Sequence, residues 1–177
     1  MDSHTQLKRY SASTPEACWA QDGLAVIDST DVTSWIEKAF QSPRKRYRLC
    51  AHEPLDPVHE MIICLDRGTY IRPHKHLAQS ESMHVIDGFA QLVLFDEEGA
   101  VTDRIALGPF GSGRTFFYRT KLAIYHTLWI ESPCFVVHET TLGPHRPEAS
   151  VFAPWSPDED SPEKEQFLRS IVTQATE

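Results

Sequence analysis

Between Arg46 and Gly143 the chain alternates short apolar runs with polar breaks that carry glycine, proline or aspartate. The runs are RYRLCAH, HEMIICLD, GTYIRPHKH, ESMHVIDG, FAQLVLFD, VTDRIALG, RTFFYRT, IYHTLWIES and CFVVHETTLG. Each is rich in Val, Ile, Phe, Tyr or Thr, side chains that fit a pleated surface. Nine such runs at a spacing of roughly ten residues predict an all-β sandwich or barrel. No helix-length segment interleaves them, which argues against a parallel α/β sheet. The DEEGA segment, Asp96 to Ala100, predicts a hairpin turn with Gly99 at its tight position.

The flanks follow other patterns. Residues 1 to about 22 are polar and mixed, and are expected to be irregular or peripheral. From Asp31 to Phe40, the positions Val32, Trp35, Ile36, Ala39 and Phe40 make one apolar helical face. Ser29, Thr30 and Asp31 offer N-cap oxygens to that helix, and Pro43 stops it. After Gly143 the chain turns proline-rich, but Val151, Phe152 and Trp155 are too apolar for a free linker, so an ordered strap is expected. Ser161 and Pro162 then open a last helix with Phe167, Leu168, Ile171 and Val172 on one face. The expected organisation is an arm and short helix over 1–45, a β-barrel over 46–143, and a strap with C-terminal helix over 144–177, all one domain.

Charge and composition narrow the function classes. The 177 residues carry a net charge of −8, and PRKRYR (Pro43 to Arg48) is the one basic cluster, so no nucleic-acid footprint is expected. No apolar run approaches the ~18 residues that a membrane span needs. The N-terminal MDSHTQLKRYSAST has neither the basic nor the apolar region of a secretory signal. The four cysteines, Cys18, Cys50, Cys64 and Cys134, show no CxxC spacing, as expected of reduced thiols in a cytoplasmic protein.

The chemistry concentrates between Gly68 and Gly88, GTYIRPHKHLAQSESMHVIDG. His74 and His76, two residues apart on a strand, point the same way. LAQS reads as a short turn, and Glu81, opening the next strand, folds back beside both imidazoles. Two imidazoles and a carboxylate converging on one point make a first-row metal site. A further imidazole is needed to finish the shell, and His126 in IYHTLWI, among aliphatic neighbours, is the best candidate. The ion class is Fe, Mn, Ni or Zn, which this donor set does not separate.

The spacing Gly, five residues, HxH, four residues, Glu, six residues, Gly resembles the first motif of the cupin superfamily. That resemblance implies a double-stranded β-helix jelly roll and gives His126 the role of the second motif's histidine, although TKLAIY stands where a PxG is usual. A narrower resemblance runs through RKRYRLCAH, HEMIICL, YIRPHKH, ESMHVIDG, LVLFDEEG, HETTLGP and FAPWSP, which are similar to the WbuC-type cupin-fold metalloproteins. It implies a link to bacterial surface-polysaccharide gene clusters, and hence a sugar or nucleotide-sugar ligand.

Strand parity supplies the surroundings. Counting back from His74 places Arg72 and Tyr70 on the ligand face, where Arg72 demands an anion or a structural carboxylate. Arg46, Arg48, Cys50 and His52 share one face of their strand, either at the pocket mouth or on a wet edge. Arg48, His52, Arg72 and Tyr118 are the candidate substrate-binding residues. His59 with Glu60 and His138 with Glu139 are candidates to orient a ligand imidazole, and Glu139 is the candidate general base. His84, of opposite parity to Glu81, is expected on the outer face. The leading expectation is a mononuclear metalloenzyme of isomerase or oxygenase type acting on a small polar or anionic ligand, assembled as a homodimer. The alternative is a non-catalytic metal- and ligand-binding module. A metal-independent epimerase is disfavoured because the whole ligand set is present.

Overall fold

Alternation of inward and outward side chains sorts the strands onto two facing sheets. The computed structural model describes residues 10–21 and 23–173. Strands β1 (Tyr10–Thr14) and β2 (Ala17–Ala20) precede helix α1 (Ser29–Gln41). The predicted runs then form β3 (Arg46–Cys50), β4 (Val58–Asp66), β5 (His74–His76), β6 (Glu81–Asp87) and β7 (Ala90–Phe95). They continue as β8 (Val101–Leu107), β9 (Phe117–Thr120), β10 (Tyr125–Ile130) and β11 (Cys134–Leu142). A short β12 (Ser150–Phe152) lies in the strap, and α2 (Lys164–Thr173) ends the described chain. The sheets have the orders β1-β2-β3-β4-β11-β6-β9 and β12-β5-β10-β7-β8. All their pairings are antiparallel except β2 with β3.

Three apolar layers follow from this. Leu65, Met83, Val85, Leu92, Leu128 and Phe135 fill the space between the sheets. On the outer face of the first sheet, Trp35 and Ala39 of α1 pack on Tyr47, Leu49, Cys64 and Val136. On the outer face of the second, Leu168 and Ile171 of α2 pack on Val93, Phe95, Val101 and Tyr125. Each fully buried aliphatic or aromatic side chain contributes about 1.5–3 kcal/mol. The polar stretch before α1, where described, is peripheral as expected but regular, forming a β-hairpin on the edge of the larger sheet; residues 1–9 and 22 lie outside the described residues. The cap of α1 is Asp28, one residue before the expected set: its carboxylate accepts from the Thr30 and Asp31 amides, and its own amide donates to the Asp31 carboxylate.

Two glycines need their special backbone. Gly99 has φ +94° in the β7–β8 turn, where it was expected. Gly88 has φ +82°, and a Cβ there would lie 2.2 Å from the Cys134 carbonyl oxygen. The glycine closing the motif thus lets the chain turn against β11.

Candidate metal centre

The motif builds its site across the barrel. LAQS does reverse the chain, but it carries it from β5 in the smaller sheet to β6 in the larger one, so His74 and His76 face Glu81 from the opposite wall. His126 on β10 is the direct cross-strand partner of His74. One potential ligand atom from each of His74, His76, Glu81 and His126 lies within 4.8 Å of all the others. His76 Nε2 is 3.1 Å from Glu81 Oε2, and His126 Nε2 is 4.0 Å from Glu81 Oε1.

The far nitrogens fix the rings. His74 Nδ1–H donates to the Arg72 carbonyl at 2.9 Å, and His126 Nδ1–H donates to the Ile124 carbonyl at 3.0 Å. A carbonyl only accepts, so both rings carry their proton on Nδ1, which leaves the Nε2 lone pair free for ligation. His76 Nδ1 is 2.9 Å from the Ser150 hydroxyl, on β12 directly across from it. Tyr118 donates its hydroxyl to Glu81 Oε1 at 3.0 Å. This donor set, three oriented imidazoles and one carboxylate, fits a divalent first-row ion.

Electrostatics agree. Burial, with the neighbouring His126 next, pushes the His74 imidazole down to about 4, which keeps it neutral. Burial alone would raise Glu81, but the His76 hydrogen bond and the surrounding imidazoles outweigh it and hold the carboxyl at about 2. Burial and the Glu81 charge push Tyr118 well above its ordinary value, so it remains a donor. Glu139 is raised to about 8, by burial first and then by Glu81.

The four ligand candidates open onto a cavity of about 540 Å³ that Arg48, His52, Tyr118 and Glu139 also line. Ladder register explains the grouping: Cys50, Met61, Glu139, Met83 and Tyr118 form one inward row across the larger sheet. His59, Thr141 and Glu81 form the next. His138, of the other parity, stands opposite Ile62 and approaches Glu60 to 3.7 Å, whereas His84 is exposed on the outer face as expected.

Arg72 is a correction. It does not line the cavity; its guanidinium turns outward to the strap, donating to the Ser156 hydroxyl at 3.1 Å and pairing with Asp158. Tyr70 turns outward too, donating to the Pro157 carbonyl at 2.8 Å within the α2 layer. The parity count fails because the regular strand begins only at His74, after Pro73, which has no amide to donate. Lys75, of the opposite parity to His74 and His76, lies 4.3 Å over the Tyr125 ring and pairs with Glu97. Sequence reasoning missed Ser150; the apolar Val151 and Phe152 marked a strap segment there without indicating its register.

Two expected results follow here. Ser150→Ala removes the partner of His76 Nδ1 and is expected to weaken metal affinity about 10- to 100-fold, read by chelator competition. In metal-free protein, folded Glu139 holds its proton to about pH 8 while the unfolded chain releases it near 4.5, so stability falls as pH rises through that window. His74 acts in the opposite sense, but only below its ordinary value of 6.5. Between pH 6.5 and 8 the unfolding free energy read by urea titration is therefore expected to fall, by up to about 1.4 kcal/mol per pH unit, a slope that Glu139→Gln flattens.

Comparison with known proteins adds the following. A family described as a domain of unknown function, DUF6016, matches residues 27–107, from before α1 through β8. No curated protein matches the sequence. An uncharacterised conserved Klebsiella pneumoniae protein with a double-stranded β-helix domain superposes with TM-score 0.52 at 18% identity, covering 73% of this chain and 98% of that one. KdgF from a Halomonas species gives 0.45 at 21% identity, over 60% and 84%. Bacillus subtilis oxalate decarboxylase, which has Mn(II) centres, gives 0.41 at 16% identity, over 55% of this chain and 24% of that one. No helix among the described residues is long and apolar enough to cross a membrane. With its two facing sheets and the β-helix relative matched over nearly its whole length, this chain has the double-stranded β-helix, or cupin, fold.

Proposed function

We propose that the protein is a mononuclear metal-dependent cupin enzyme acting on a small polar or anionic ligand. The observation that carries this is the convergence of His74, His76, Glu81 and His126 within 4.8 Å at the wall of an open cavity. Iron, manganese, nickel or zinc bound there supplies Lewis-acid polarisation of a ligand oxygen. The chain's own groups do the rest. Tyr118 orients Glu81 through its hydroxyl, and the Arg72 and Ile124 carbonyls hold two rings in their ligating tautomer. Glu139 faces the cavity, and burial raises its carboxyl in the metal-free protein, so it is placed to exchange a proton with a reacting ligand atom. That supports isomerase chemistry as readily as oxygenase chemistry. Arg48 on β3 and His52 just after it are the cavity's groups for a polar or anionic substituent.

The resemblance to the WbuC-type proteins supports a sugar or nucleotide sugar of surface-polysaccharide metabolism as the ligand. A cytoplasmic homodimer belongs to the same reading. Elemental analysis of protein purified without added metal is expected to find close to one of the four ions per chain. A metal-free protein of equal stability would overturn the proposal.

A further inference from the structure

The barrel interior continues beyond the metal ligands. A second cavity of about 500 Å³ shares Arg48, His74, Glu139, Ile71, Met83 and Leu128 with the first. It leaves His76, Glu81 and His126 behind and reaches the β1–β2 turn, with Arg44 and Arg46 at that end. Those two arginines are engaged: Arg44 pairs with Glu16 and Glu159, and Arg46 with Glu159 at 3.3 Å. Arg48 differs. Its ladder partner is Ile63, on the inward row of β4, and its side chain, though solvent-exposed, lines both cavities. Among the described residues no carboxylate lies within ion-pair distance of it. Water reaches this guanidinium and its charge is felt by Glu139, but with no ion-pair partner among the described residues it is free to take an anion entering the cavity. Its planar fork suits a carboxylate held by two parallel hydrogen bonds.

We propose that the second chamber is the subsite for a carboxylate at the far end of the ligand. Arg48 binds it, and an apolar spacer runs along Ile71, Met83 and Leu128 to an oxygen pair at the metal centre. The substrate class is then an elongated organic acid with a chelating head, larger than any anion that would fill the metal's open positions alone. This rests on the metal-centred reading alone, not on the sugar assignment, in whose place it sets an acid, and it fixes the ligand's second anchor.

The test uses zinc-loaded full-length protein and titration calorimetry with hydroxamates. Acetohydroxamate probes the head alone. The monohydroxamates of glutaric, adipic and suberic acids, each beside its primary amide, probe the tail. At one or more chain lengths the acid is expected to bind about tenfold tighter than its amide, the size of a charge-assisted hydrogen-bond contribution. Arg48→Gln and Arg48→Ala are expected to remove that preference while leaving metal content and acetohydroxamate affinity unchanged. If no acid outbinds its amide, or if the preference survives both variants, the second-chamber proposal is wrong while the metal centre stands. If the protein takes up no zinc, or acetohydroxamate does not bind the zinc form, the metal-centred reading fails and the subsite falls with it.

Discussion

Replacing His126 by alanine is expected to strip the protein of its metal, lowering affinity about a hundredfold or more while leaving the barrel folded. His126 is buried, stands directly across from His74 on the neighbouring strand, and is already oriented by the Ile124 carbonyl. A tetra-liganded site in a small protein is worth about 10–16 kcal/mol, so one imidazole of four carries roughly 3 kcal/mol, about two decades in affinity. His74→Ala should behave the same way. His84→Ala, on the outer face of β6, should bind as the wild type does. Chelator competition on the three variants, with circular dichroism to verify folding, decides the matter. Full affinity in His126→Ala would mean that the fourth ligand lies elsewhere.

Phe135→Ala is expected to be the most damaging core substitution, costing about 3–5 kcal/mol out of the roughly 5–15 kcal/mol that holds a typical domain together. The ring is completely buried between the sheets, opposite Leu65 on β4. Its strand is central, pairing with β4 on one side and β6 on the other. The same strand carries Glu139 and sets Thr141 beside Glu81, so a collapse around Phe135 should weaken metal binding as well. Urea unfolding measures the first effect, and metal titration of the folded fraction measures the second. Phe110→Ala is the contrast: that ring is 82% exposed, and its loss should shift stability by less than about 0.5 kcal/mol. A Phe135→Ala cost below about 1 kcal/mol would contradict the packing described.

Much of this was legible in the residues. Alternation placed the strands from β3 to β11, because one buried face imposes a period of two on any strand. HxH and the spaced acid pointed to donors that the fold does bring within 4.8 Å of one another. What escaped was long-range. The composition of LAQS marks a reversal, yet nothing in it says that β5 and β6 belong to opposite sheets. YSAST and ACWA carry too little periodicity to announce a hairpin whose pairing comes from β3. Arg72 and Tyr70 were misassigned because parity does not pass through Pro73. Ser150 was invisible because its role depends on which residue stands opposite it in β5.

The partners of the three imidazoles also bear on how the centre can be tuned. Two of the rings lean on peptide carbonyls two positions upstream, at Arg72 and Ile124, which every amino acid supplies equally. No side-chain replacement can withdraw those acceptors. Ser150 alone offers them a replaceable hydroxyl, so position 150 is where the basicity of one imidazole is expected to be adjustable without replacing any of the four converging side chains. Swapping that residue for threonine, asparagine or aspartate defines a compact series in which metal preference varies while the barrel stays fixed.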